Sequence, residues 1–492
     1  MKQNAITRIW ASLGRISDPV WVLGLTLLGF ALRLYHLGES SLWMDEAFTW
    51  FRASRPVGEG LRALLAVMNH PPLHQLLMTL VVRLNASEFF LRIPSVMAGV
   101  VALPVIYRVG RRLGGRRVGM SAAALLAVNP FHVWYSRDAR DYAFVALLAL
   151  LVFDLFLQLL RGRRVWGRFT VVSSLLYFTH YFGLLAALVQ FAYLLLNFRS
   201  RYRLLRPWML SQGLAFLPLA GWLAALYMQE EQMLSIGWIP AATLGDPLLS
   251  LWNFSLLYTE QWTILAILAL PLFGLALLLG LNASRYRQLL GLWLFLPFLS
   301  ILIVSWATGR NLYVDRYFII SLPIYLLLLA TGTVWLRRPA FRYGLAVGLI
   351  LAMTLGTSQI YTSPVLAKED WKEGVAYIAD RFQEGDVVAL RSAYDLAPFL
   401  YYGHDLPWVP IEQSLEQGSS APWAAITTDR QRLWILYLSP RNSSHLVNKA
   451  PSFDIYTEAD PETRAWLLAH RENVVDERHF ASLAVLLIQL AP

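Results

Sequence analysis

The sequence contains no cysteine among its 492 residues. Disulfides, thiolate metal sites and cysteine nucleophiles are therefore excluded. Charge is also scarce, because charged residues make up only 15% of the chain, whereas 57% is hydrophobic and the mean hydropathy is +0.47. This composition is too apolar for an ordinary soluble protein and predicts a membrane protein.

Nucleotide-binding and hydrolase motifs are also absent from the sequence. It has no G-x-x-x-x-G-K-[ST] loop, no strand-linked G-x-G-x-x-G and no G-x-S-x-G elbow. Energy for a reaction must then come from a gradient or from a substrate that is already activated.

Apolar segments recur along the first 361 residues at the length of about 20 residues that a spanning helix needs. They predict about eleven spans, near 19–37, 92–110, 118–136, 142–160, 168–181, 183–198, 206–227, 262–281, 288–308, 317–336 and 341–361. The segments 168–181 and 183–198 are short and meet at a tight turn in "FTHYFG". The spans are nearly free of charge, with Asp154 as the exception.

The connections between these segments alternate in charge. One set, including "RVGRRLGGRR" and "RGRRVWGR", is rich in arginine, while the other set collects the acidic residues. Because basic loops stay in the cytoplasm, the pattern predicts an inner-membrane protein with its N-terminus inside and its C-terminus outside. The net charge of +10 is then an orientation signal, and we expect no nucleic-acid partner. We interpret segment 19–37 as an anchor, not a cleaved signal peptide.

The composition changes after about residue 362. Amphipathic helical spacing in "KEDWKEGVAYIADRF" and short apolar runs such as "RLWILYLS" and "LAVLLIQL" predict helices and buried strands. We therefore expect two domains: 1–361 in the membrane, and 362–492 as a small extracytoplasmic α/β domain.

The long outer loop, residues 38–91, is apolar and aromatic and carries two adjacent carboxylates, Asp45 and Glu46. A solvated pair that caps a short helix is the simpler interpretation. A carboxylate near the hydrocarbon boundary would instead have a raised pKa and act as a base. The same loop contains "NHPPLH", where His70 and His74 begin a helix, or bind a phosphate or a metal.

Two further stretches place arginine at the outer ends of spans. "YSRDARDYAF" carries Arg137, Asp138, Arg140 and Asp141 within five residues, and "NLYVDRYFIISLP" carries Arg316. Salt-bridged turns and interfacial anchors explain such residues singly. Arginine also holds a phosphate through two parallel hydrogen bonds, which makes a phosphate site the alternative.

Six motifs in one order resemble a known family. "LRLYHLGESSLWMDEAFT", "HPPLH", "FFLRIPSVMAG", "YSRDARDYAF", "LYFTHYFGLL" and "YVDRYFIISLP" are similar to bacterial membrane glycosyltransferases of the C superfamily, in particular the protein O-mannosyltransferase and aminoarabinose-transferase-like group. The resemblance covers about residues 20–330, and "DWKEGVAYI" matches the tail of such proteins.

The resemblance implies an inverting transfer of a sugar from a polyprenyl-phosphate donor to an acceptor on the outer face. Asp45 matches the usual base of the family and Glu46 its neighbour, so both are expected to be catalytic. We expect Arg137, Arg140, Arg316 and His70 to bind the donor phosphate, although relatives sometimes carry lysine where His70 stands. Asp138, Tyr142, His74 and Tyr317 are expected to support the site, and membrane lipids to surround it.

Several alternatives stay open. A lipid-linked glycan flippase or transporter is the rival class, although its usual signature of ionisable residues near the bilayer midplane is weak here. The identity of the sugar, the choice of protein, lipid or glycan as acceptor, and the need for a divalent metal do not follow from the sequence.

Overall fold

The computed structural model describes residues 17–67, 70–228, 239–258, 264–390, 395–403, 405–411, 423–427, 430–439 and 454–490. Up to residue 362 the described chain is helical. In chain order the helices are α1 (Asp18–Leu34), α2 (Met44–Ala53), α3 (Val57–Val67), α4 (Leu73–Leu84), α5 (Glu88–Gly114), α6 (Arg116–Ala127), α7 (Pro130–Ser136), α8 (Tyr142–Leu160), α9 (Trp166–Thr179), α10 (Leu184–Leu196), α11 (Phe198–Tyr227), α12 (Asp246–Leu256), α13 (Ile264–Ala283), α14 (Arg287–Thr308), α15 (Leu322–Trp335) and α16 (Pro339–Thr362).

Each of the eleven apolar segments contains a helix, but their lengths vary. Among the described residues, five helices are long and apolar enough to cross a membrane, namely α5, α8, α11, α14 and α16. The described helices and the composition define a multi-pass membrane protein; the count of eleven spans is not confirmed.

Segment 118–136 shows why a single apolar run became two helices. α6 ends at Ala127, and α7 starts afresh with Asn129 as its N-cap and Pro130 in its first turn. The Asn129 side-chain oxygen accepts a hydrogen bond from the His132 backbone N–H at 2.9 Å. Asparagine caps and first-turn prolines both favour a new helix start, so a second helix begins here.

Arg33 corrects the expectation that Asp154 is the exceptional charge within the spans. It lies in α1 and is fully buried. Its guanidinium donates to the carbonyl oxygens of Gly29 at 2.7 Å and of Leu126 and Ala127 at 3.3 Å. Because the carbonyls at the end of α6 lack partners in their own helix, a buried arginine satisfies them.

The C-terminal residues form a five-stranded mixed sheet with short helices. The strands are β1 (Val387–Leu390), β2 (Trp408–Pro410), β3 (Arg432–Leu438), β4 (Val474–Phe480) and β5 (Leu483–Gln489), and the helices are α17 (Trp371–Ala379), α18 (Leu396–Tyr402), α19 (Trp423–Thr427), α20 (Ile455–Glu458) and α21 (Pro461–Ala469). The strand order is β2-β1-β3-β5-β4, with β1 parallel to both of its neighbours and β5 antiparallel to both of its own.

Strand β3, which contains the apolar run "RLWILYL", is buried on both faces of the sheet. Leu433, Ile435 and Tyr437 pack into the hydrophobic core on one face of the sheet. Trp434 and Leu436 pack into a second core on the other face. Since successive side chains of a strand point to opposite faces, a central strand covered on both faces carries no polar alternation.

The chain divides into two compact units. The first unit comprises Met1–Tyr35, Leu64–His74 and Arg92–Ser358, and the second comprises His36–Ala63, Gln75–Leu91 and Gln359–Pro492. Parts of the long loop after α1 thus belong to the same compact unit as the C-terminal residues. A single boundary near residue 361 does not describe this division.

Candidate active site

The short connection between α7 and α8 carries the charged motif of the first unit. Of its side chains, Asp138, Arg140 and Asp141 are buried. Ser95, in α5, donates its hydroxyl to the Arg140 carbonyl oxygen at 2.7 Å and so ties the connection to that helix. Buried charges of both signs within four residues exclude a solvated turn, because a solvated turn would expose them.

His70 lies directly before Pro71 and Pro72, outside α4. The Arg140 guanidinium Nη2 lies 2.7 Å from His70 Nε2 and donates to it. The proton of a neutral His70 ring then resides on Nδ1, which lies 3.6 Å from a carboxylate oxygen of Asp141. The loop before α4 and the α7–α8 connection therefore meet through one arginine, one histidine and one aspartate.

His180 follows the last residue of α9 and completes this group. Its ring centroid lies 5.1 Å from that of His70 and 5.1 Å from that of Tyr317. His180 is buried, and its Nδ1 accepts a hydrogen bond from the Phe182 backbone N–H at 3.1 Å.

Arg316 is buried among aromatic rings. Its guanidinium carbon lies 5.9 Å from the ring centroid of Tyr142 and 5.5 Å from that of Tyr317. The Arg140 guanidinium carbon also lies 5.9 Å from the Tyr142 ring centroid. Both arginines therefore lie near the Tyr142 ring, and the face of an aromatic ring attracts cations at this distance. The predicted residues Arg140, Arg316, His70, Tyr142 and Tyr317 are thus brought together, and His180 joins them.

Asp315 is a buried residue that the sequence reasoning did not single out as part of the site. It receives hydrogen bonds from Asn253 at 2.6 Å, from the Arg316 backbone N–H at 2.8 Å and from Tyr258 at 3.3 Å. Burial raises the pKa of Asp315, although the hydrogen bond from Asn253 and the charge of Arg316 oppose this shift. Asn253 lies in α12, a helix without a predicted counterpart, so its contribution was not visible in the sequence.

Arg137 has a different environment from Arg140. Its guanidinium Nη1 donates to the carbonyl oxygens of Leu32 at 3.4 Å, Arg33 at 3.3 Å and Tyr35 at 2.5 Å. These carbonyls lie at the C-terminal end of α1, where cationic side chains commonly satisfy the last acceptors. The geometry gives Arg137 a helix-capping contact, in addition to any part it has in phosphate binding.

His74 lies at the beginning of α4 and is buried. Its ring packs edge-on against Phe144 of α8, with centroids 5.8 Å apart. This contact places His74 beside the first turn of α8, and its supporting role in the site stays a prediction.

The side chains of His70, Asp141 and His180 are the candidate ligands of a metal ion. These ligand atoms all lie within 4.8 Å of one another. Two histidines and one carboxylate suit Zn²⁺ by type. The Arg140 guanidinium, however, occupies the Nε2 side of His70, and the charge of Arg316 also acts on His180. A guanidinium so close to these donor atoms opposes the binding of a dication, although Asp141 contributes a negative charge to the same group.

The second unit contains the predicted acidic pair at the start of α2. Trp43 is the N-cap, so Asp45 and Glu46 are the second and third residues of the helix. Glu46 is fully buried and accepts from the Trp43 backbone N–H at 3.4 Å, whereas Asp45 is half-buried. Both carboxylates lie where the positive end of the helix dipole favours negative charge.

Glu46 has a buried cationic partner from the C-terminal residues. Lys368 Nζ lies 2.9 Å from the Glu46 carboxylate, and the lysine side chain is only 10% exposed. The neighbouring Glu369 accepts from the Met44 backbone N–H at 3.1 Å and from the Trp371 indole at 2.8 Å. The first turn of α2 is therefore capped by a carboxylate from its own helix and by one from residue 369.

Further contacts within the second unit hold the same helix. Tyr402 accepts from the Leu42 backbone N–H at 2.8 Å, and Ser41 donates to the Asp370 carboxylate at 3.3 Å. Trp50 packs edge-on against Tyr401, with ring centroids 4.9 Å apart. Because these partners lie more than 300 residues away in the chain, the sequence could not indicate which residues would fix α2.

Comparison with known proteins agrees with the helical architecture. Residues 69–224 match a family model described as "Dolichyl-phosphate-mannose-protein mannosyltransferase", a stretch that includes His70, Arg137, Arg140 and His180. No curated protein matches the chain.

Solved structures of membrane transferases share the fold over nearly the whole chain. The structure of ArnT from Cupriavidus metallidurans bound to undecaprenyl phosphate superposes with a TM-score of 0.60 and 12% identity, covering 96% of this chain and 98% of that one. The arabinofuranosyltransferase AftD from Mycobacteria superposes with a TM-score of 0.55 and 15% identity, covering 96% of this chain and 40% of the larger protein. The Archaeoglobus fulgidus oligosaccharyltransferase, in complex with Zn and sulfate, superposes with a TM-score of 0.51 and 12% identity. The match covers 85% of this chain and 68% of that one.

The chain therefore has the fold of the C superfamily of membrane glycosyltransferases, and the resemblance drawn from its six motifs is confirmed.

Proposed function

We propose that this protein is an inverting glycosyltransferase that moves a sugar from a polyprenyl-phosphate donor to an acceptor. The observation that carries the proposal is the buried group in the first unit, where Arg140, Arg316 and His70 surround Tyr142 and His180. The fold is shared with a transferase solved with undecaprenyl phosphate, which is a ligand of the proposed kind.

The arginines suit the leaving group of such a reaction. As the bond between the anomeric carbon and the phosphate oxygen breaks, negative charge collects on the lipid phosphate. Guanidinium groups held in place by Tyr142 and His70 are preorganised for that charge, and burial strengthens the interaction. We assign donor-phosphate binding mainly to Arg140 and Arg316, with His70 beside them and Arg137 as the cap of α1.

Asp45 is the proposed base. An acceptor hydroxyl becomes acidic only as it attacks, so a carboxylate within hydrogen-bond reach increases the rate. The two predicted catalytic carboxylates have different surroundings, because Glu46 contacts Lys368 and the Trp43 N–H inside the protein. We therefore assign Glu46 a positioning role, in which it orients the first turn of α2 and with it Asp45.

The membrane orientation belongs to the same proposal. We infer a location in the inner membrane with residues 362–492 and the acidic connections outside the cytoplasm. A polyprenyl-phosphate sugar then supplies an activated donor where nucleotides are absent. The donor sugar and the acceptor, whether protein, lipid or glycan, are left open.

Deletion of the gene tests the reaction and identifies the sugar. Polyprenyl-phosphate sugars are extracted from the deletion strain and measured by mass spectrometry beside the glycans that disappear. We expect one lipid-linked sugar to accumulate and the same sugar to be lost from one glycan, with both changes reversed by the wild-type gene but not by Arg140→Gln. Loss of a glycan without accumulation of its donor would contradict the proposal.

A further inference from the structure

The same helices that carry the buried group at one end form a cavity at their other end. The cavity has a volume of about 510 Å³ and is bounded by α5, α8 and α9. Asp154, in its wall, lies twelve residues after Tyr142 in α8, which corresponds to about 18 Å along the helix axis. The cavity is therefore separate from the candidate active site.

The charges of the cavity are unequal. Arg108, Arg112 and Arg168 line it together with a single carboxylate, that of Asp154. Asp154 pairs with Arg112 and lies 3.4 Å from Arg108, and Gln158 donates to it at 3.1 Å. Arg168 has no ion-pair partner among the residues that the structure describes. Two positive charges thus remain in excess.

The walls between these arginines are apolar. Leu151, Leu155 and Val172 line the cavity with Val171, whose side chain is 58% exposed. Leu175 lies one turn further along α9 and is also exposed. Residues four apart share a helix face, so an apolar track leads from the arginines along the outer surface of α9.

We propose that this cavity binds the headgroup of an anionic glycerophospholipid from the surrounding membrane. The phosphate would contact Arg108 and Arg168, and an acyl chain would follow Val171 and Leu175. Basic pockets between membrane helices bind anionic headgroups by this combination of charge and adjacent apolar surface. An inorganic anion would use only the arginines and would gain nothing from the apolar track.

Native mass spectrometry of the full-length protein in detergent tests the proposal. The probes are phosphatidylglycerol and phosphatidylcholine with identical acyl chains, and inorganic phosphate. We expect one phosphatidylglycerol to be retained in preference to phosphatidylcholine. We expect Arg108→Gln combined with Arg168→Gln to weaken its binding about 30-fold, which corresponds to roughly fivefold for each arginine near an anionic lipid.

Two matched pairs of variants make the result specific. Gly167 lines the cavity and has open space around the position of an added Cβ, so Gly167→Leu fills the cavity; Gly221 in α11 has similar open space, and Gly221→Leu is its control. Arg337→Gln combined with Arg338→Gln removes two exposed arginines from another connection.

The proposal requires lipid loss in the Arg108/Arg168 and Gly167 variants and retention in both controls. Equal loss from the Arg337/Arg338 variant, no preference for phosphatidylglycerol, or equal competition by inorganic phosphate would each overturn it.

Discussion

The buried charges of the two units differ in what surrounds them. In the second unit, Glu46 and Glu369 face backbone N–H groups and the ammonium of Lys368, contacts that fix a helix start. In the first unit, the guanidiniums of Arg140 and Arg316 lie against a histidine and over aromatic rings. Carboxylates that cap a helix start predict a role in stability, whereas buried guanidiniums beside a histidine and aromatic rings fit the proposed contact with a phosphate. Substitutions can break or sharpen this contrast.

The largest expected effect is at Asp45, the half-buried carboxylate of α2. Asp45→Asn should lower turnover about 10²- to 10⁴-fold, because a general base contributes that much, while the protein stays folded and inserted. The measurement is sugar transfer by the purified protein at saturating donor. Glu59→Gln, an exposed carboxylate in α3, serves as the control and should be silent. Near-normal turnover in Asp45→Asn would remove this residue from the chemistry.

The next effect separates Arg140 and Arg316 from Arg137. Arg140→Lys and Arg316→Lys should lower turnover about 10- to 100-fold and also weaken donor binding, since lysine cannot replace a two-pronged contact to phosphate. Arg137→Lys is the matched control. Its guanidinium contacts carbonyls at the end of α1, where an ammonium is also accepted, so turnover should change little. Titration of the donor at saturating acceptor measures both parameters.

The reverse pattern would contradict the assignment. If Arg137→Lys lost turnover while Arg140→Lys and Arg316→Lys kept it, the phosphate would have to bind on the other side of the α7–α8 connection.

The sequence indicates much of this architecture, and its limits have physical causes. Apolar length located the helices inside the eleven apolar segments but not α12, because burial in lipid leaves a local signal only where the apolar run is long. The positions of charge pointed to Arg140 and Arg316, because charged residues at the end of an apolar segment are conspicuous. They did not point to Asp315, Asn253 or Lys368, since the role of each residue depends on contacts with partners elsewhere in the chain.

Stability provides the third test, at the ion pair of Glu46 and Lys368. Breaking a buried pair leaves one charge without its partner, so Lys368→Met should lower the free energy of unfolding by about 3 kcal/mol. Glu46→Gln combined with Lys368→Met should recover part of that loss, because no charge is then left buried. Thermal unfolding in detergent measures both. A double variant less stable than the sum of the single changes would show that the pair is not coupled in this way.

The smallest effect is a pH dependence at Asp370. Burial raises the pKa of its carboxyl above the ordinary 3.8, and the charge of Glu373 acts in the same direction. At a pH between the ordinary pKa of the unfolded chain and the raised pKa of the folded chain, the Asp370 carboxyl is protonated to a greater extent in the folded chain. Asp370 therefore stabilises the fold at low pH, and this contribution is lost as pH rises through the raised pKa.

Asp370→Asn should remove that dependence while keeping an oxygen for the hydroxyl of Ser41. The Tm of the variant minus that of the wild type should be larger at pH 7 than at pH 4. A difference that does not vary with pH would show that Asp370 titrates normally.

Release of polyprenyl phosphate by the purified protein tests the central claim most directly. The protein in detergent, where no two leaflets exist, is mixed with the polyprenyl-phosphate sugar found in the deletion strain and with extracted acceptor. The lipid product and the stereochemistry of the transferred sugar are then measured. Our account predicts stoichiometric release of polyprenyl phosphate with inversion at the anomeric carbon, abolished by Asp45→Asn. An intact donor in detergent, together with movement of that donor across vesicle membranes containing the protein, would contradict it and identify a flippase.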